Sequence, residues 1–327
     1  MDVGRLGTLL CILGPVFALI AMGRLLGRWR VLGEGGARDL HQVVYWLCLP
    51  AQLLVQIGSN DVRAHADLRA LAATLAAYWI GFALVWAATV RMEPAARGCA
   101  LNGAVRGNGA FIGLPVVLLL GATMPAAERD HLTSAYLVLL GVMVPCYNVG
   151  AVLGFLLPRH GVTWHGLKRA LVESATNPLL GGCAAGMAIS LWCPSLVDAH
   201  SPSAPTRAIA TTLRMVGDIA GPLALLLVGY QLDLQLIRRS WRLLSLISVG
   251  KLLLIPALAW GCAVVAGLDH LTTTAAVLMM AAPTAMAAGP MARILGSDER
   301  LMAAMVVATT VASPLSLLLW LVLLTTP

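Results

Sequence analysis

The feature that most constrains the fold is a series of apolar runs, each long enough to cross a lipid bilayer. A spanning α-helix needs about 20 mostly apolar residues, and it satisfies its own backbone hydrogen bonds in hydrocarbon. Runs of this kind follow one another, separated by proline, glycine or charged clusters, at 7–27, 38–58, 68–90, 98–121, 132–157, 175–193, 208–231, 243–266, 272–294 and 301–325. The sequence therefore predicts an all-α integral membrane protein with ten transmembrane helices.

Composition supports a membrane protein and argues against an enzyme. Of 327 residues, 59% are hydrophobic and 11% are charged, whereas soluble domains carry about 25% charged residues. Seven cysteines form no C-x-x-C pair, and seven histidines fall at or outside the predicted helix ends without metal-ligand spacing. No nucleophile elbow or phosphate-binding loop is present. We therefore expect no enzymatic activity, no metal and no cofactor.

The basic residues predict the orientation of the chain. Sorted by alternating loops, fourteen of the 22 Lys and Arg residues fall on one side of the membrane and six on the other. The remaining two, Arg106 and Lys251, lie within predicted spans. Because cytoplasmic loops are enriched in basic residues, both termini are predicted outside the cytoplasm of an inner (plasma) membrane protein. The net charge of +7 is scattered singly between apolar runs, so we expect membrane lipid, and no nucleic acid, as a partner.

Prolines suggest an internal duplication. Spans 1, 2, 4 and 5 contain Pro15, Pro50, Pro115 and Pro145, and spans 6, 7, 9 and 10 contain Pro178, Pro222, Pro283 and Pro314. The corresponding prolines are 163, 172, 168 and 169 residues apart, a nearly constant distance of about half the chain. A five-helix unit copied once inserts its second copy upside down, which is the inverted-repeat plan of many secondary transporters. The sequence thus predicts a first repeat at 1–158, a cytoplasmic connector at 159–174 and an inverted repeat at 175–327.

Spans 4 and 9 are the most interrupted, and they occupy corresponding places in the two halves. Span 4 contains "GNGAFIGLP" and span 9 contains "MMAAPTAMAAGPMARILG". Proline removes a backbone donor and glycine weakens the helix, so both spans are predicted to be broken crossover helices whose half-helix N-termini attract an anion. Asn108 lies two turns before Pro115 on nearly the same face. Candidate binding residues from the two breaks are Asn108, Gly109, Gly113, Pro115 and Pro283.

Other polar residues within the spans leave alternatives open. Arg106 could snorkel to the interface, or it could contact a substrate or a gate. Lys251 could pair with a substrate carboxylate or occupy the place of a coupling cation; alternatively it could snorkel to the interface or pair with Asp218. Asp218 could carry a coupling proton or cation, or be a surface acid. The glycines and prolines of the two breaks could have only a structural role, in close packing or in a kink. Asn108 could likewise serve only to hydrogen-bond a neighbouring helix.

The motif "NGAFIGLPVV" resembles the helix-4 signature of the auxin efflux carrier family. In that signature an Asn is followed seven residues later by the Pro of a G-x-P stretch. Asn108, Gly113 and Pro115 match this pattern. Similar segments follow in the family's order over nearly the whole chain, including "ATNPLL", "GPLALLLVGYQL", "KLLLIPAL" and "AAPTAMAAGPMARILGSDERLMAAMVVATTVASPLSLL".

The resemblance implies ten helices in a 5+5 inverted repeat, with helices 4 and 9 crossing at Pro115 and Pro283. It implies carriage of organic anions, namely auxin in plants and malonate or related carboxylates in bacteria. The short central loop favours the bacterial, malonate-permease-like branch. In plant carriers the Asn matching Asn108 contacts the substrate carboxylate. The residue after the helix-9 proline is often an amide there; here it is Thr284, which departs from that pattern and is the matching candidate for substrate binding.

We therefore expect a secondary active transporter or facilitated carrier of a small carboxylate, working by alternating access at the crossing of helices 4 and 9. Coupling to H⁺ or Na⁺ is open, and so is a homodimer. Two alternatives remain: a sodium-coupled symporter of bile-acid-symporter type, and a non-transporting membrane sensor.

Overall fold

The computed structural model describes residues 3–59, 67–160, 172, 176, 178–198, 203–232 and 240–325. In chain order the helices are α1 (Val3–Arg28), α2 (Glu34–Gly58), α3 (Leu68–Ala88), α4 (Pro94–Val105), α5 (Gly109–Gly121), α6 (Ala126–His160), α7 (Pro178–Trp192), α8 (Ala204–Gln231), α9 (Trp241–Val265), α10 (His270–Ala281), α11 (Ala288–Ile294) and α12 (Glu299–Thr325). Over these ranges the fold is entirely helical and contains no β-strand, as predicted.

Six of these helices are long and apolar enough to span a membrane: α2, α3, α6, α8, α9 and α12. Shorter apolar helices lie at Gly109–Gly121, Gly181–Trp192 and His270–Ala281. The chain is therefore a multi-pass membrane protein. The count of ten spans and the 5+5 division stay predictions, and most of the predicted connector at 159–174 lies outside the described residues.

Two predicted spans are each divided into two half-helices. The run at 98–121 becomes α4 and α5, separated by residues 106–108, which we call the first break. The run at 272–294 becomes α10 and α11, separated by residues 282–287, which we call the second break. Both interruptions fall where proline, glycine and polar residues were read as helix-breaking.

Three helices contain a widened turn of π type shortly before a proline: Val44–Cys48 before Pro50, Gly109–Gly113 before Pro115 and Gly250–Leu254 before Pro256. A proline ring clashes with the carbonyl four residues earlier and cannot donate to it. In every case that carbonyl belongs to the central residue of the turn, which is Trp46, Phe111 or Leu252. The wider turn relieves the clash. The Leu252 carbonyl instead accepts a hydrogen bond from Trp320 Nε1 at 2.8 Å.

The helices pack as two groups. In the first group, α2 packs against α7 and α8, and α1 packs against α8. In the second group, α4 packs against α6, α10 against α6 and α9, α9 against α3, and α11 against α12. The α1–α8 contact is close: a methyl group built on Gly23 would lie 1.9 Å from the Leu226 carbonyl oxygen. Small residues of this kind let membrane helices approach each other.

Candidate functional site

The two breaks pair with each other inside the protein. Gly107 lies opposite Thr284 in an isolated antiparallel bridge. The Asn108 N–H donates to the Pro283 carbonyl at 2.7 Å, and the Ala285 N–H donates to the Arg106 carbonyl at 3.1 Å. Backbone groups that leave a helix in an apolar interior need partners. Each break therefore replaces part of the hydrogen bonding that the other has lost.

Side chains fix this pairing to the neighbouring helices. Thr284 is fully buried, and its hydroxyl donates to the Gly103 carbonyl at the end of α4 at 2.6 Å. The Thr284 N–H donates to Thr309 Oγ1 of α12 at 3.1 Å. Gly107 allows the close approach, because a methyl group there would lie 3.1 Å from Tyr147 Oη. These contacts make the paired breaks a fixed point between α4, α6, α10 and α12.

A cavity of about 420 Å³ opens beside the first break, between the two helix groups. Its volume falls within the ~300–1,000 Å³ range of small-molecule sites. The cavity is lined by both breaks and by α2, α5, α6, α7 and α11. The lining residues include His41, Tyr45, Arg106, Asn108, Phe111, Tyr147, Asn148 and Met291. Most of this lining is apolar, so the few polar groups decide what the cavity can hold.

Arg106 brings a positive charge to the cavity. Its side chain is buried, with 7% of its surface exposed. Nη2 donates to Asn148 Oδ1 of α6 at 2.9 Å, and Nη1 contacts Met291 Sδ. In the part of the chain that the structure describes, no carboxylate forms an ion pair with it. A buried guanidinium without an acidic partner is costly, and it favours an anion beside it.

Asn108 adds a hydrogen-bond donor at the same place. Its side chain is buried, and Nδ2 has no hydrogen-bond partner among the residues that the structure describes. The residue immediately precedes α5, whose first backbone N–H groups lack intrahelical acceptors and carry the positive end of the helix dipole. The next carbonyl, that of Gly109, accepts from Tyr136 Oη at 2.9 Å, which holds the turn in place. The amide and the helix end therefore both suit an anionic oxygen.

The structure brings only some of the predicted residues to the cavity. Arg106, Asn108 and Gly109 line it. The others lie elsewhere among the described residues: Gly113 packs on Tyr136, Pro115 is half-buried in α5, Pro283 and Thr284 form the pairing, and Lys251 lies behind it.

Asp218 does not form the ion pair with Lys251 that the sequence leaves open as one alternative. It is exposed on α8 and lies outside the cavity lining. Lys251 Nζ donates instead to the Met280 carbonyl at 2.9 Å. The ion pair between Asp218 and Lys251 is therefore absent from this structure, because the two side chains face different surroundings.

Sequence reasoning missed several lining residues. His41 was placed at a helix end, but it lies inside α2, where its ring stacks on Phe111 with centroids 6.2 Å apart. Asn148 was not singled out, although a polar residue three positions after Pro145 in an apolar run was a detectable signal. Tyr147, beside it, has no such signal, because a tyrosine in a span is common.

A family model described as "Membrane transport protein" matches residues 8–321. The chain belongs to this family, which is of the auxin efflux carrier type. A relative from Methanothermobacter thermautotrophicus, described as an uncharacterized transporter, is 24% identical over 324 residues, covering 94% of this chain and 96% of the relative. The resemblance found in the sequence is thereby confirmed, and membrane transport, a class that is not usually enzymatic, is the activity that both comparisons indicate.

Proposed function

We propose that this family member carries a small organic anion, a carboxylate such as malonate, across the inner membrane. The observation that carries the proposal is the buried Arg106 guanidinium, which has no acidic partner among the described residues and lies in a cavity of suitable size. A carboxylate there would receive charge-assisted hydrogen bonds from the guanidinium and a further bond from Asn108 Nδ2. The apolar walls strengthen these interactions by keeping water away.

The placement of the cavity between the two helix groups supports alternating access as the mechanism. The first group contains predicted spans 1, 2, 6 and 7, which hold equivalent positions in the two halves of a 5+5 inverted repeat. A rocking or sliding of one group against the other would open the cavity to each side in turn, around paired breaks that stay together. We propose that the repeats are 1–158 and 175–327 and that both termini are non-cytoplasmic.

The test is uptake of radiolabelled malonate by the full chain reconstituted in proteoliposomes, with competition by unlabelled mono- and dicarboxylates. We expect uptake above that of protein-free vesicles. We expect Asn108→Ala to reduce this uptake about tenfold, because the variant loses one hydrogen bond to a charged group. Arg293→Ala, which changes an exposed arginine of α11, serves as the matched control. Failure of the folded protein to carry any carboxylate would contradict the proposal and favour a membrane sensor.

A further inference from the structure

Lys251 is a second buried cation, and it lies next to Gly107 of the first break without itself lining the cavity. It belongs to the π turn of α9, its surface is 0% exposed, and its Nζ donates to the Met280 carbonyl at 2.9 Å. Within the described ranges no carboxylate pairs with it. The proposed anion site does not use this ammonium group, so its charge needs another explanation.

The end of α10 provides that explanation, because the second break releases two of its carbonyls. In an uninterrupted helix the Met279 and Met280 carbonyls would accept from residues 283 and 284. Pro283 has no N–H, and the Thr284 N–H donates to Thr309 Oγ1 instead. A methyl group built on Gly107 would lie 3.2 Å from the Met279 oxygen and 3.3 Å from Lys251 Nζ. Both released carbonyls and the ammonium therefore gather beside Gly107.

Half-helix ends of opposite partial charge meet at the paired breaks. The N-terminus of α5 and the Arg106 side chain face the cavity, whereas the C-terminal ends of α4 and α10 meet near Gly107. Helix C-termini carry partial negative charge and are stabilised by cations. In transporters with discontinuous helices, released carbonyls and half-helix C-termini are the groups that coordinate a coupling cation.

We propose that the Lys251 ammonium is a built-in counter-cation of the paired breaks and fills the place that a coupling metal cation would take, so that anion transport proceeds without sodium. The transport part of this inference rests on the proposed function, whereas the cation site does not. Neighbouring groups are already satisfied: Trp320 Nε1 donates to the Leu252 carbonyl, and Tyr147 Oη donates to Met280 Sδ. The lysine is thus the group that remains to balance the released carbonyls.

The first experiment measures thermal unfolding of the purified chain in sodium, lithium or N-methylglucamine chloride at equal ionic strength. The wild type is expected to unfold at the same temperature in all three salts. Lys251→Ala leaves space and bare carbonyls, so its Tm should fall by about 5 °C or more in N-methylglucamine and recover in sodium or lithium. Lys251→Met fills the space without a charge, so its Tm should fall in every salt. Arg242→Met, an exposed charge of the same helix, is the control.

The second experiment measures carboxylate uptake in the same salts. Wild-type uptake should be equal in sodium and N-methylglucamine, and Lys251→Ala should be about tenfold faster in sodium than in N-methylglucamine. Sodium-dependent stability or uptake of the wild type would overturn the inference, as would a Lys251→Met protein as stable as the wild type. If neither variant folds, the wild-type salt series decides alone. If no carboxylate is carried, the proposed function fails while the thermal measurements still test the cation site.

Discussion

At the scale of single residues, Arg106 and Lys251 are both buried cations, yet they have different surroundings. Arg106 donates to a side-chain amide and lines a cavity, whereas Lys251 donates to a backbone carbonyl and is enclosed. A planar guanidinium offers two parallel donors to a carboxylate, which a single ammonium cannot. We therefore assign the proposed anion-binding role to Arg106 rather than to Lys251.

We predict that Arg106→Met weakens substrate binding by about tenfold to a hundredfold, because a hydrogen bond to a charged group contributes about 1.5–3 kcal/mol. The measurement is concentration-dependent uptake in proteoliposomes, with thermal unfolding to verify the fold. Arg242→Met removes an exposed charge and should leave uptake unchanged. Equal transport by Arg106→Met and the wild type would exclude Arg106 from the anion site.

At the scale of helices, close packing in the first group depends on glycines that have no room for a side chain. Gly23 of α1 lies against the Leu226 carbonyl, and Gly229 of α8 lies against the Ile20 carbonyl, where a methyl group would be 1.8 Å from the oxygen. Backbone atoms cannot move aside as the end of a flexible side chain can. The two helices must therefore separate if either glycine is enlarged.

We predict that Gly23→Ala lowers the Tm by about 5 °C or more, since overpacking of this kind costs roughly 1–3 kcal/mol. Gly14→Ala in the same helix is the matched control, because a methyl group there would meet nothing within 4 Å. Both variants are compared by thermal unfolding in detergent. A Gly23→Ala protein as stable as Gly14→Ala would show that α1 and α8 are not packed as described.

At the scale of the whole molecule, the predicted orientation puts the chain after α7 outside and the chain after α1 inside the cytoplasm. Cys193 is exposed just after α7, and Gly35 is exposed early in α2. These two positions lie on opposite sides only if the spans alternate as the basic residues indicate. They therefore report on the inverted arrangement of the two halves.

We predict that a membrane-impermeant maleimide labels Cys193 in intact cells, in a variant whose other cysteines are replaced by alanine. A cysteine placed by Gly35→Cys in a background without Cys193 should be labelled only after the membrane is permeabilised. Labelling of both positions from the same side would contradict the odd number of spans, five, that the sequence predicts between them.

Much of this molecule was predictable from local sequence patterns. The apolar runs identify the membrane class, and the motif around Asn108 and Pro115 identifies the family. The helix interruptions at Gly107–Asn108 and Pro283 follow from backbone chemistry, because proline and glycine act wherever they occur in a helix. Even the π turns lie where proline spacing explains them.

The direction in which each polar side chain points was decided only by the tertiary structure. Hydropathy measures how apolar a run is, but not which face of a helix meets which neighbour. His41 and Asn148 reach the cavity from α2 and α6, and Arg106 faces it while Lys251 does not, because contacts between distant segments set the rotation of each helix. The sequence by itself determined where the helices break. The packing of those breaks against each other placed Arg106 and Asn108 in the cavity lining and buried Lys251 next to them, outside that lining.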